Sequence, residues 1–162
     1  MIVDYALYQN GIRYTEPSNL PEMITMARNG EGFVWLGLAE PTESEFQKVV
    51  GDFRFHPLSI EDAVTAHQRP KYEEYPGVQA FVLKTVFYEE KGSQVSTGEI
   101  FCFIGDYFIV VVRHGSGAPL VNVRHALEGN PEQLAKGPWA VLHAILDHVI
   151  EIGRASCRER VS

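Results

Sequence analysis

Residues 78–115 read VQAFVLKTVFYEEKGSQVSTGEIFCFIGDYFIVVVRHG, and three strands are legible in them. Apolar and polar residues alternate through 78–90, KGSQ supplies a turn, and VSTGEIFCFIG follows. Gly105-Asp106 then turns the chain into YFIVVVRHG. Strands joined this closely pair as an antiparallel meander. The apolar runs FCFI and FIVVV have the length of strands and fall far short of the ~18 residues of a membrane helix. Toward the front, IVDYALY (2–8) and IRYT (12–15) flank Asn10-Gly11, a hairpin signal. Pro21 opens a helix that Gly30 ends. GFVWLGL (32–38) is continuously apolar, as a strand buried on both faces requires. Thr42 and Glu45 then have the spacing of a capping box for a helix through Val50. Behind the meander, helices are expected at PLVNVRHALEG from Pro119, at PEQLA and at PWAVLHAILDHVI from Pro138. Alternating strands and helices in front, with a meander and helices behind, point to one α/β domain of layered elements around a mixed sheet.

The chain has 162 residues, 45% of them hydrophobic and 22% charged. That is enough to bury a core without disulfide or metal staples, and it is not the composition of a disordered chain. The net charge of −7 argues against a nucleic-acid partner, which calls for a basic face. MIVDYALYQNG lacks the basic start of a secretory signal. Two cysteines form no framework, so a reduced, cytosolic setting is the simplest reading. Residues 151–162, EIGRASCRERVS, stand apart. The helical repeat of Trp139, Leu142, Ile145, Leu146 and Val149 collapses there, and the stretch looks like a translated sequencing adapter. The domain is therefore expected to span 1–150, with 151–162 a non-native tail and Cys157 without a role.

Residues 55–77, FHPLSIEDAVTAHQRPKYEEYPG, hold most of the ionisable groups that could carry chemistry. Pro57 starts a helix, Pro70 stops it, and Leu58, Ile60, Ala63, Val64 and His67 are expected to cover its inward arc. Glu61 and Asp62 then sit at one edge. Adjacent helix positions diverge by about 100°, so the two carboxylates do not chelate one ion. Each could serve a separate Mg²⁺ whose other oxygens come from elsewhere. The plainer account is an acid pair complementing the helix dipole. Likewise Arg69 or Lys71 against Glu73 or Glu74 makes a modest surface ion pair. His143 and Asp147, four apart on one helix face, can ligate a cation, but such pairs are more often a surface hydrogen bond. No hydrolase elbow, phosphate-binding loop, dinucleotide fingerprint or H-E-x-x-H motif occurs. No catalytic set is visible, and no enzymatic activity is expected.

The string FHPLSIEDAVTAHQRPKYEEY closely resembles the cytosolic stretch of CorA-type divalent-cation transporters, the magnesium and cobalt channel family. The similarity runs on through AFVLKTVFYEE to GPWAVLHAILDHVI, over nearly all of residues 1–150. The resemblance implies an α/β/α sandwich with a mixed, largely antiparallel sheet. In the family this cytosolic domain precedes a long stalk helix and two membrane helices of a homopentamer, with a Gly-Met-Asn motif at the outer pore mouth. It also implies regulatory Mg²⁺, with Co²⁺ as a further ion, bound between neighbouring cytosolic domains to hold the closed state. Asp62 would supply an intersubunit metal carboxylate, with Glu61 and Asp147 at a second, adjacent site. Stalk, membrane helices and Gly-Met-Asn motif are absent from this sequence. The expectation is a truncated transporter: the full-length protein in the cell membrane, this domain cytoplasmic, and the fragment itself soluble and unable to conduct. The alternatives are the same domain of a related zinc exporter, a small metal-dependent hydrolase using Asp62, His67 and His143, and a soluble interaction module.

Overall fold

The computed structural model describes residues 1–17, 19–53, 55–65, 68–89, 94–115 and 120–161, with backbone alone at 50, 52, 59, 89 and 156–161. Strands β1 (Ile2–Gln9) and β2 (Ile12–Tyr14) pair as the expected hairpin. Asn10 and Gly11 at its tip have φ of 52° and 80°, the two left-handed residues that such a turn needs. Gly11 is required twice over, because a Cβ there would lie 1.9 Å from the carbonyl oxygen of Pro131.

Helix α1 (Leu20–Arg28) begins behind Asn19, whose side chain accepts from the amide of Glu22. Strand β3 (Phe33–Ala39) follows, and then α2 (Glu43–Val50), which carries the predicted capping box between Thr42 and Glu45. A single 3-10 turn (Gly51–Phe53) leads to α3 (Pro57–Val64). The meander is β5 (Val78–Glu89), β6 (Gln94–Ile104) and β7 (Phe108–Gly115), as its alternation predicts. It gains a fourth strand that the sequence reading lacks: β4 (Lys71–Tyr75), paired antiparallel to β5 across Pro76-Gly77. KYEEY has no apolar face to announce a strand, and it pairs because β5 offers it an open edge. Its charged side chains suit the outermost position of a sheet. Helices α4 (Val121–Glu128), α5 (Pro131–Leu134) and α6 (Pro138–Val161) close the chain, and α6 runs on through most of residues 151–162.

The seven strands form one sheet in the order β2-β1-β3-β7-β6-β5-β4, antiparallel throughout except where β3 lies parallel to β7. Side chains alternate across it and build two cores. Val34, Leu36 and Leu38 of β3, with Phe101, Phe103, Phe108 and Val110, pack under α1, α2, the 3-10 turn and α3. Trp35 of β3, with Ile100, Cys102, Ile109 and Val111, packs under α4, α5 and α6. The expected α/β/α sandwich is the fold observed. Complete burial pushes the Cys102 thiol up to about 12, so it behaves as a small apolar side chain.

Two expected details of α3 differ. The helix ends at Val64, with Thr65 already extended, rather than running into His67; His67 itself lies outside the described residues. Leu58 points outward, 57% exposed, while Ala63 is fully buried and Ile60 and Val64 pack partly on the core. Leu58 stands two positions, about 200°, from Ile60, and an eight-residue helix with its axis fixed by Ile60, Ala63 and Val64 cannot bury both.

Candidate divalent-cation site

Helix α3 is held at both ends. At its start Pro57 occupies the first turn, and the Nδ1 of His56 accepts from the amide of Leu58 at 3.2 Å. The His56 ring stacks on Tyr75 of β4, centroids 5.1 Å apart. At its end His114 of β7 places Nε2 2.6 Å from the carbonyl oxygen of Ala63 and Nδ1 3.0 Å from a carboxylate oxygen of Glu40. A buried histidine on the sheet thus satisfies one of the carbonyls that the helix leaves open.

Glu40 itself occupies a left-handed conformation, φ 48°, between β3 and Pro41. Its hydrogen bond from the Gly115 amide, then that with His114, lowers its pKa below the ordinary carboxylate value. A lowered folded-state pKa stabilises above the usual carboxylate range and loses that contribution as pH falls through the lowered value. Glu40→Gln is therefore expected to cost less than about 1 kcal/mol near neutrality, because the group is mostly exposed. Urea denaturation should show the variant and wild type converging in acid.

Asp62 lies near the C-terminal end of α3 with its carboxylate about a third exposed. Oδ2 accepts from the ammonium of Lys71 at 2.8 Å, and the same ammonium stands 3.2 Å from Oε1 of Glu73. The other oxygen of Glu73 accepts from the Tyr75 hydroxyl. Lys71, Glu73 and Tyr75 alternate along β4 and so face α3 together. The hydrogen bond to Asp62, with a second to Glu73, raises the pKa of Lys71. Bonds from Tyr75 and then Lys71 lower that of Glu73. Of the pairings the sequence offered, Arg69 or Lys71 with Glu73 or Glu74, the structure forms Lys71–Glu73, and the sequence reading missed Asp62 as a partner of Lys71. The signal available was Pro76-Gly77, a turn dipeptide that folds the preceding residues back on the strand that begins at Val78.

Glu61 is exposed on the same helix. Asp147 belongs to α6, 63% exposed, with Oδ2 3.5 Å from Nδ1 of His143 one turn earlier. It lines a groove of about 320 Å³ between α4 and α6, beside His148 and Glu151. Since α3 covers one face of the sheet and α6 the other, Asp62 and Glu61 do not meet Asp147 within one chain. The same separation keeps Asp62 from His143, so those two members of a hydrolase set do not converge.

Hard carboxylate oxygens are the donors that Mg²⁺ takes, and Asp62, Glu61 and Asp147 fit it in chemistry. They do not complete a site alone. Among the described residues no three His, Cys, Asp or Glu side chains gather closely enough to hold a metal. The crevice between Asp62, Lys71, Glu73 and the sheet measures about 10 Å³, room for a water and not for a hydrated dication.

The chain was compared with known proteins. Residues 30–159, well over half of it, match the family model of the CorA-like Mg2+ transporter protein. YfjQ of Bacillus subtilis strain 168, named as a metal ion transporter, is 30% identical over 117 residues, 72% of this chain and 35% of that protein. The chain thus spans about a third of the length of this curated relative. Among solved structures, the soluble domain of CorA from Methanocaldococcus jannaschii superposes with a TM-score of 0.60 at 16% identity, covering 92% of this chain and 57% of that one. The ZntB cytoplasmic domain from Vibrio parahaemolyticus gives 0.62 at 12% identity, covering 99% of this chain and 60% of that one. These two share the fold. Among the described residues no helix is long and apolar enough to cross a membrane. The chain belongs to the CorA-like Mg2+ transporter family.

Proposed function

We propose that this chain is the cytoplasmic, Mg²⁺-sensing domain of a membrane transporter for divalent cations, acting in a homo-oligomer of the full-length protein. Family membership supports the transporter reading. The observation behind the sensing reading is the placement of the exposed Glu61 and the partly exposed Asp62 on one layer and of the exposed Asp147 on the other. Opposite outer faces of one chain become neighbours only when copies stand side by side. Carboxylates brought together from two chains repel when empty, and a dication between them turns that repulsion into a bridge. An ion that binds one subunit arrangement better than another shifts the population toward it, which is the thermodynamic content of gating.

The test is a thermal melt of the chain with chelator and with MgCl₂ or CoCl₂, alongside its mass in solution. At tenfold excess over Kd, binding contributes about 1.4 kcal/mol, which for a chain of this size raises Tm by roughly 3–6 °C. Asp62→Asn is expected to abolish the rise and any metal-dependent association. Superimposable melts in chelator and in dication would remove the sensing reading while leaving family membership untouched. A second reading, the equivalent domain of a zinc exporter, is kept because the ZntB cytoplasmic domain has the same fold. A Tm rise with ZnCl₂ at concentrations where MgCl₂ has none would favour it.

A further inference from the structure

A cavity under α4 lies across the sheet from Asp62 and contains none of the carboxylates considered above. We infer that it is a binding site for a small organic anion with an apolar body. Its floor is a notch in the sheet at Gly37 of β3. Gly37 stands in register between Asp4 of β1 and Val111 of β7, with Trp35 two residues earlier on the same face. Glycine weakens a strand interior, and nothing in the backbone calls for it here. Its φ is not positive, and an added Cβ would meet only the Asp4 carbonyl oxygen at 3.7 Å and Nη2 of Arg124 at 4.0 Å, both ordinary contacts. What the missing side chain supplies is room. The cavity above it measures about 300 Å³, at the small end of small-molecule sites. Trp35, Val111 and Leu120 give it apolar walls, and it opens past Val121 and His125, both exposed.

The polar groups around the cavity decide the charge of its ligand. Three guanidinium groups, from Arg13, Arg113 and Arg124, face two carboxylates, from Asp4 and Glu128. The buried Arg124 has its Nε 3.3 Å from Asp4, donates through Nη1 to the Tyr8 hydroxyl, and lies 4.0 Å over the Trp35 ring. Arg13 spans Asp4 at 2.9 Å and Glu128 at 3.1 Å. Both carboxylates are thus engaged. Arg113, on the same face of β7 as Val111, pairs with no carboxylate among the described residues, and Glu40 feels its charge only at a distance. One uncompensated cation beside apolar walls favours an anion over a neutral molecule of the same shape, and an anion with a hydrocarbon body over a bare one. A carboxylate can meet Arg113 through two parallel hydrogen bonds, the geometry a guanidinium prefers, while its hydrocarbon part fills the notch at Gly37. Arg124, already satisfied, braces the wall.

The test uses the full chain carrying Trp139→Phe, a change at an exposed ring that leaves Trp35 as its single tryptophan. Trp35 emission is followed as 3-phenylpropionate, octanoate or phenyl phosphate is added, with 3-phenylpropanamide and inorganic phosphate as controls. At least one of the three organic anions is expected to give a saturable change below about 10 mM. The amide and inorganic phosphate should bind at least about tenfold more weakly, and Arg113→Met should cost about tenfold. Gly37→Val, which fills the notch, should abolish binding. Gly37→Ala should weaken binding while melting at or above wild type, which separates a filled site from an unfolded chain. No saturable change with any of the three anions overturns the proposal. Binding at full strength in both Gly37→Val and Arg113→Met also overturns it, because the site then lies elsewhere. Equal binding of the amide removes the role of charge, equal binding of inorganic phosphate removes that of the apolar walls, and either result defeats the inference.

Discussion

Phe46→Ala is expected to destabilise the chain by about 3–5 kcal/mol, a large share of the 5–15 kcal/mol that holds a typical domain folded. Phe46 is fully buried on the inner face of α2, its ring 5.8 Å from Phe103 of β6 and 6.2 Å from Phe55. Phe55 stacks on Phe53, and Phe53 meets Phe108 of β7 at a tilt with centroids 4.7 Å apart, so one aromatic cluster joins α2, the 3-10 turn, the residues leading into α3 and the centre of the sheet. Removing the ring loses its transfer energy and leaves a void that rigid neighbours cannot fill. In urea the midpoint should fall with little change in slope, and Tm should drop by roughly 6–20 °C. Phe46→Leu, which refills most of the space, should retain the larger part of the stability. A loss under about 1 kcal/mol for the alanine variant would mean that α2 is not seated on the sheet as described. The effect reaches function because α3, which carries Asp62, packs beside α2 on the same core.

The second large effect concerns a charge inside the sheet face. Glu99 of β6 is nearly fully buried, and its Oε1 accepts from Lys84 directly opposite on β5. Its Oε2 is buried with no hydrogen-bond partner among the described residues. Lys84→Met removes the cation paired with this carboxylate and is expected to cost about 3 kcal/mol, the lower end of the range for a broken buried pair because Lys84 itself is partly exposed. Replacing both, Lys84→Met with Glu99→Leu, should return stability to within about 1 kcal/mol of wild type or above it, since the penalty lies in the stranded charge and not in the lost pair. A double-mutant cycle in urea measures this directly. Strict additivity of the two substitutions would show that the two groups do not depend on one another.

Much of the molecule was readable from local chemistry. Asn10-Gly11, the Thr42–Glu45 capping box, Pro57 at a helix start and the alternation of 78–90 with the turns that follow it each declare their structure locally, and each is found where expected. What escaped were features whose cause lies elsewhere in the chain. Strand β4 exists because β5 presents an edge. Leu58 is exposed because three later residues set the roll of its helix. The hold of His114 on the end of α3 joins positions 51 residues apart that no spacing rule connects.

For the carboxylates the division is sharper. Sequence alone determined that Glu61 and Asp62 diverge, because neighbouring helical residues must, and that the chain carries the family's characteristic string. Only the tertiary structure decided that Asp62 is already matched by Lys71, that the crevice behind it admits no hydrated ion, and that Asp147 stands on the opposite layer. The physical reason is range. Helix angle and turn preference act over a few residues, whereas ion pairing, void size and layer assignment depend on which distant segments the sheet brings against one another.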